Sequence, residues 1–439
     1  MDRRTQLQSS EASIKSLALN AQNMTAWTFM SDEDIRKANS HTILSRMLST
    51  RTHISITSTL ARENDEASRS VELRKYVHIG QGQCGTVLAF QGTDEVVKIP
   101  NGPHKQHVLY QDAQIHAAVE KAFREAPTEL RAEISIPRYC TWVTPAMSQW
   151  WNSRLNLFPS EYQSPTYGLV SQRIFPLPAP VRSAIIDTFC PKQLRKSVQQ
   201  DPSNRDCLVR LYLGKREPGK RAQEKSFRLR NFPLMVNDLE ELKIEALGFA
   251  RVMADALAIL HWSAKVDGND IEFVLGSAST ETLYRTAVGP EELKYITKDS
   301  PAHNRADFDF TKRHIHVWLL DFNQCVTFDE ENDPDWLQLL TRAFWFNDPY
   351  YPRPVSDHPA DTALWESFAE RYLYASQHLT NSAGPARFIQ KIEEEGKERR
   401  TMISKQGKDS LLGALMEGCK EMQIGIKTGF ISNALPHQR

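Results

Sequence analysis

The sequence predicts an α+β fold in two lobes, a small β-rich N-terminal lobe and a larger, mostly helical C-terminal lobe. Three observations carry that reading. In residues 77–90, VHIGQGQCGTVLAF, Gly80, Gly82 and Gly85 form a G-x-G-x-x-G turn between two strand-like segments. Pro176, Pro178 and Pro180 stiffen a connector, PLPAP, which reads as the boundary between lobes. Beyond it, residues 238–262 hold Leu239, Leu242, Ala246, Phe249, Met253, Ala256 and Leu260 on one face at helical spacing, the strongest helix signal in the chain.

Composition sets the outer limits. At 439 residues the chain is long enough for two or three domains or lobes. Its 40% hydrophobic and 25% charged content is ordinary for a soluble protein. The formal net charge is zero, so no global field points to nucleic acid. No apolar run reaches membrane-spanning length, and the opening MDRRTQLQSSEASIKS lacks the apolar stretch of a secretion signal. Six scattered cysteines without a C-x-x-C pair argue against a structural zinc site or a disulfide framework, and a reducing cytoplasm is the expected location.

In chain order, residues 1–70 are polar and weakly patterned, and are expected to form a mobile arm with one or two short helices. The N-terminal lobe is expected over 71–175. VELRKYVHI, CGTVLAF and EVVKIP read as its first strands, the last ended by a Pro-Asn-Gly-Pro breaker. Residues 105–125 read as a helix with Val108, Ile115, Val119 and Phe123 as its apolar side. ISIPRYCTWV and TYGLVSQRIF read as two further strands. The C-terminal lobe is expected over 176–384, with insertions near 185–235 and 277–312. It includes HVWLLDF at 316–322 as a buried strand, and amphipathic helices at 335–345 and 362–380. Residues 385–439 read as a charged, partly helical tail.

The context of the glycine turn separates its two possible uses. A dinucleotide turn needs a helix directly after the glycines. Here Thr86–Phe90 is β-rich, which favours a flap whose backbone amides curl over phosphates. Lys98 lies thirteen residues past Gly85 between valine and isoleucine, and a half-buried lysine there needs an anionic partner. Asp112 and Glu120 on the following helix are the candidates, Asp112 preferred. The loop in LAILHWSAKVDGNDIEFVLG sets Asp267, Asp270 and Glu272 between a buried helix and an apolar strand. Asp321 ends the apolar strand of LLDFNQC. Each is open to a plainer reading as exposed lysine, solvated acidic loop or buried structural aspartate.

Taken in order, these four features resemble protein kinases, in which a glycine flap, a strand lysine, a catalytic-loop aspartate and a magnesium-binding aspartate follow one another. The resemblance implies a bilobal protein-kinase-like fold over about 71–380, with Lys98, Asp267 and Asp321 as its working residues. The sequence departs from that pattern in reading Lys265-Val266-Asp267 for His-Arg-Asp, Glu272 for the asparagine, and Asp321-Phe322-Asn323 for Asp-Phe-Gly. Asp321 would be a metal ligand only if kinase chemistry is retained.

The combination of IGQGQCGTV, VVKIP, LYLGKR, HWSAKVDGNDIEFVLG, LLDFNQC and NDPYYPRP resembles a fungal family of kinase-like domains, formerly of unknown function, that includes the arginine-containing cyclodipeptide synthases. That resemblance implies an enzyme of specialised metabolism that joins an arginyl and a second aminoacyl group, both supplied on tRNA, into a diketopiperazine. Aminoacyl esters are already activated, so no cofactor is expected; ATP and magnesium belong only to the phosphotransferase alternative. Asp267, Asp270, Glu272 and Asp321 would then deprotonate an amine or pair with a guanidinium. Gly80, Gly82, Gly85, Asp112 and Asp270 would hold substrate or nucleotide. Cys84 and Cys325 are the possible nucleophiles for a covalent route. Residues 214–230 carry seven basic residues against two acids, and Lys215, Arg216, Lys220, Arg221, Arg228 and Arg230 are the candidate tRNA contacts, with a solvated loop as the rival reading. Neither membrane nor DNA is expected as a partner. Oligomeric state and the second amino acid stay open, as do a phosphotransferase and a non-catalytic binding module as alternative functions.

Overall fold

The computed structural model describes residues 28–50, 52–55, 59–217, 219, 225–279 and 312–402. The fold is mixed α+β and contains two sheets.

The smaller sheet is antiparallel, in the order β3 (Tyr76–Gln81), β4 (Gly85–Phe90), β5 (Glu95–Pro100), β8 (Gly168–Gln172), β7 (Tyr139–Val143). Alternation sets its faces: in β4 and β5, Leu88, Val97 and Ile99 turn inward onto Tyr76, Trp151 and Phe158. The long helix of this region, Gln106–Glu125, packs across β5, β7 and β8. Ile115, Val119 and Phe123 are buried as their spacing predicts, with Leu109 taking the place expected for Val108. VELRKYVHI is a 3₁₀ turn over Val71–Leu73 followed by β3, rather than one strand.

The larger region is less helical than expected. It is built on a seven-stranded mixed sheet in the order β1 (Thr28–Met30), β2 (Thr52–Ser55), β12 (Lys312–Leu320), β11 (Glu272–Ser279), β9 (Val209–Tyr212), β10 (Phe232–Met235). The short β6 (Ile134–Ser135) lies parallel to β12. Local pattern hid this sheet because its strands come from four distant parts of the chain. ISIPRYCTWV is the clearest instance. Pro137 divides it, so β6 joins the large sheet and β7 the small one. A second crossing point is the bridge between Phe175 and Ser277.

Two peripheral segments prove integral. Residues 28–70 were expected to be a mobile arm. Instead β1 and β2 extend the large sheet, and Met30, Leu44, Met47, Leu48 and Ile54 are fully buried in the main core. The helix Ser40–Met47 brings Ile43, Leu44 and Met47 to one side, a pattern too short to stand out in a polar stretch. The tail from 385, expected to be charged and partly helical, begins within a helix over 384–402 that buries Phe388, Ile389 and Ile392 in the main core. The remainder of both ends, and 280–311, lie outside the described residues.

The helix expected over 238–262 is two. Val236–Glu241 ends where Lys243 adopts a left-handed backbone at φ +56°. The N–H of Ile244 donates to the Leu239 carbonyl and that of Lys243 to the Glu240 carbonyl, the paired closure that caps a helix end. Ala246–Ala258 then restarts and runs into a π turn over Ile259–Ser263. The apolar stripe survives the break, since Leu239, Leu242, Phe249, Met253, Ala256 and Leu260 are all buried. Ala246–Ala258 packs on Pro359–Gln377. Among the described residues no helix is long and apolar enough to cross a membrane.

Because Leu44 has no exposed surface and belongs to the main core, Leu44→Ala is expected to destabilise the whole protein by about 3 kcal/mol. A denaturant midpoint equal to wild type would show that residues 28–70 do not belong to the cooperative unit.

Candidate functional site

A cavity of about 300 Å³ lies between the two sheets. It is lined by the glycine turn, by Lys98 and Asp112, by the ends of β11 and β12, and by Arg210 and Arg230.

The turn is the β3–β4 hairpin, kinked by an irregular register between His78 and Gly80. Asn101 braces it, donating to the Gly82 carbonyl at 2.7 Å and accepting from Thr86 at 2.9 Å. Gly85 is required for a close approach: a Cβ there would sit 2.7 Å from the Ile99 carbonyl oxygen and 2.9 Å from Cγ of Lys98. Without that Cβ, β4 lies close against the strand that carries Lys98.

Lys98 is the centre of the charge arrangement. Its ammonium donates to Asp112 Oδ2 at 2.7 Å and to Asp321 Oδ1 at 3.2 Å. Burial alone would lower its pKa, but Asp112 and Asp321 outweigh that and hold it well above the ordinary lysine value. Lys98 is therefore charged at any physiological pH. Asp321 also accepts from the Asn323 amide at 2.9 Å, and its φ of +67° turns the chain out of β12. The partner left open by the sequence is Asp112. Glu120 instead accepts the Tyr139 backbone N–H at 2.9 Å.

A second ion pair joins Glu272 to Arg210 across the β11–β9 edge. Burial raises the Glu272 carboxyl, Arg210 opposes that, and Asp321 adds to it. Arg230 donates to the Ile79 carbonyl beside the turn, and its guanidinium lies 3.2 Å from where a Cβ on Gly80 would stand. His116 completes one wall. Burial lowers its pKa, so the ring is neutral, and Nε2 sits 2.5 Å from the Pro137 carbonyl oxygen.

The cavity thus gathers Gly80, Gly82, Lys98, Asp112, Glu272 and Asp321, with Gly85 directly behind Lys98. Four other expected site residues lie off its wall. Asp267, expected as catalytic base, is 3% exposed. Its carboxylate accepts backbone N–H groups from Val326 at 2.9 Å and Asn269 at 3.2 Å, pinning the acidic loop to 325–328. Burial pushes its pKa up to about 6 despite those bonds. Asp270, with φ +59°, is half-buried, accepts from the Gln324 amide and gives its own N–H to Asn347 Oδ1 at 2.6 Å. Burial and then Asp321 raise its carboxyl.

Neither cysteine is presented as a nucleophile. Cys84 is 1% exposed, with the Asn323 amide 3.5 Å from Sγ. Cys325 is fully buried and donates to the Asn269 carbonyl at 3.2 Å, and burial pushes its thiol well above the ordinary range, so it stays protonated.

The basic segment is divided. Arg216 is held by Glu240 and by Asp361, each at 2.6 Å; Lys215 pairs with Glu217 at 3.0 Å; and Arg230 faces the cavity. Arg228 is exposed, while Lys220 and Arg221 lie outside the described residues. Arg210, like His116 and Asp206, is a cavity residue that sequence reasoning missed. A lone arginine in VRLY carries no motif, and the strand alternation that turns it toward Glu272 emerges only once β9 pairs with β11.

With this geometry in view, residues 317–384 match the model of a protein family, DUF3669, described as a zinc finger protein. No curated protein matches the chain. The matched residues span the end of β12 with Asp321, the loop that receives Asp267, and two helices. Their only cysteine and histidines are Cys325, His358 and His378, fewer than the four ligands of a structural zinc site. Among the described residues no three His, Cys, Asp or Glu side chains are grouped to hold a metal. The donor set therefore does not fit the zinc of that description.

Two outcomes follow from the buried charges. Asp112→Asn leaves Lys98 short of a partner and is expected to cost about 3 kcal/mol of stability, read as a shift in denaturant midpoint. Asp267 is protonated in the folded state up to about pH 6 but ionises near pH 4 when unfolded. Its contribution to stability is complete below pH 4 and is lost as pH rises through 6. Asp267→Asn should remove roughly 2 kcal/mol of that pH dependence; parallel stability curves for the two proteins between pH 4 and 7 would contradict the assignment.

Proposed function

We propose that this protein is a tRNA-dependent cyclodipeptide synthase on a kinase-like scaffold, joining an arginyl and a second aminoacyl group into a diketopiperazine. The observation that carries the reading is the cavity beneath the glycine turn, whose wall holds both a charged Lys98 and a half-buried Glu272 that is raised by desolvation and paired with Arg210. Ester aminolysis needs that combination: a cation near the developing oxyanion and a base for the α-ammonium.

In this reading the free α-amine of one aminoacyl ester attacks the carbonyl carbon of the other. The C–N bond forms, the ester C–O bond breaks, and the ribose oxygen leaves with a proton. A second attack by the remaining amine on the remaining ester closes the six-membered ring and releases the second tRNA. Glu272 accepts the ammonium proton. Lys98 has three N–H donors, two of them occupied by Asp112 and Asp321, which leaves the third for the oxyanion. Asp321 fixes the ammonium in place. Asp206, which also lines the cavity, is paired with Arg173 at 2.9 Å through Oδ1, so only its second oxygen would serve a substrate guanidinium.

A phosphotransferase is the second reading, favoured by the Lys98–Asp112 ion pair under a glycine turn, the arrangement kinases use to position phosphates. Against it, Glu272 is engaged by Arg210 rather than free beside Asp321.

Expression in a host that supplies charged tRNAs, followed by mass spectrometry of small molecules, is expected to reveal a new arginine-containing diketopiperazine. Glu272→Gln and Asp321→Asn should each lower its yield by about a hundredfold or more, whereas Asp267→Asn should stay within a few-fold of wild type. Absence of any such product, together with stabilisation by ATP that depends on magnesium, would replace the synthase by the phosphotransferase.

A further inference from the structure

The cavity takes both an apolar block and charged groups from each sheet. In the small sheet Val96 and Lys98 lie two residues apart on one side of β5. Val87 on β4 and Leu169 on β8 both pair with Lys98, which puts them on that same side. In the large sheet Leu208 stands two residues before Arg210, and Glu272 pairs with Leu320. All of these residues line the cavity, as does Ile174.

Four of the aliphatic side chains, Val87, Ile174, Leu208 and Leu320, are only half-buried. The last three rest on Val274, Ala278 and Trp318, which are closed to solvent. Gly276 lets Ile174 and Leu208 settle on β11: a Cβ there would sit 3.1 Å from Leu208 and closer still to Ile174. The amides on either side of Ile174 are already bonded. The N–H of Gln172 donates to the Arg138 carbonyl at 2.9 Å, that of Arg173 to Asp94 at 2.6 Å, and that of Phe175 to Ser277 at 3.0 Å. Pro176 has no N–H, and Gln172 turns its Oε1 to the Arg138 N–H at 3.3 Å. A nucleobase held here would leave hydrogen-bonding groups on its edge unpaired. An apolar side chain asks for no such partner.

We propose that this apolar wall receives the side chain of the second aminoacyl group and selects a large apolar one, a role that rests on the synthase reading above. The two-residue step from Val96 to Lys98, like that from Leu208 to Arg210, is about 7 Å. With the ester carbonyl at Lys98, a leucine- or phenylalanine-sized side chain lies along that step and covers Val87, Ile174, Leu208 and Leu320. Covering half-exposed aliphatic groups is favourable, whereas a polar side chain would give up water without gaining partners. The arginyl side chain is left to the carboxylates of the cavity.

The test uses the full chain and amino acid methyl esters as minimal aminoacyl probes, with binding followed by calorimetry. Leucine and phenylalanine methyl esters are expected to bind about tenfold more tightly than serine methyl ester. Leu208→Gln, close in volume, should raise the Kd of the leucine ester about tenfold and leave that of the serine ester within about twofold. Val87→Thr, nearly isosteric, should weaken the leucine ester in the same direction, and it keeps the comparison intact if Leu208→Gln folds poorly. Equal affinity for leucine and serine esters, leucine-ester affinity unchanged in the variants, or no saturable binding of the leucine ester would each overturn the proposal. Adenosine binding that is tighter than that of the leucine ester, and lost in the same variants, would give the wall to a base and also overturn it. An arginine-containing diketopiperazine whose second residue is polar sinks the apolar wall alone. Ester discrimination that depends on Leu208, with no product in the host, sinks the synthase alone.

Discussion

The buried ion-pair cluster of Lys98, Asp112 and Asp321 is the interaction on which the rest of the site depends. Each member comes from a different element: β5, the helix Gln106–Glu125, and the end of β12. An ammonium in the half-buried interior is tolerable only with carboxylate partners in place. The small sheet, its helix and the large sheet must therefore meet at one point, and the cavity is the space left beside it. Gly85 belongs to the same constraint, because the close approach of β4 to Lys98 leaves no room for a Cβ. The glycine turn is thus set by packing against Lys98 as well as by whatever lies beneath it.

A second level of constraint comes from chain crossings. Residues 134–143 supply a strand to each sheet, and the Phe175–Ser277 bridge ties them again near the proline connector. Behind the cavity the acidic loop is closed by hydrogen bonds rather than by metal-like charge density. Asp267 is held by the amides of Val326 and Asn269, and Asn347 receives the N–H of Asp270 while its amide donates to the Gly268 carbonyl at 2.6 Å. At the preceding helix end, Tyr372 accepts from Trp262 at 2.9 Å, and its hydroxyl shares a hydrogen bond with His261 Nδ1 at 2.8 Å. Burial takes the His261 pKa down to about 3, so this anchor is neutral. These supports are polar but inward-facing. The acids that face the cavity are Asp112, Asp206, Glu272 and Asp321, each matched to a cation of the protein itself.

Legibility in the sequence followed the range of the interactions. The glycine hairpin, the strand carrying Lys98 and the amphipathic helices were readable because a few adjacent residues impose them. Asp112 was readable as a partner because it lies fourteen residues from Lys98, on the next element. Asp321 was recognisable as a charged residue ending an apolar strand, but its contact with Lys98 spans 223 residues. Arg210 was invisible: only the pairing of β9 with β11 brings it to Glu272. That the Asp267 carboxylate meets backbone amides was not legible, because an acid in a loop looks the same whether it meets solvent, substrate or backbone amides.

By itself the sequence determined the local choices, namely a strand rather than a helix after Gly85, a lysine that had to find an anion, and apolar stripes that had to be covered. These follow from short-range sterics and from the cost of burying charge, which act within a few residues. Only the tertiary structure decided which acids meet Lys98, that β1 and β2 complete the large sheet, and that Cys84, Cys325 and Asp267 are sealed away. Those outcomes depend on how distant segments pack and pair, and the identity of a residue carries no information about what will be brought against it.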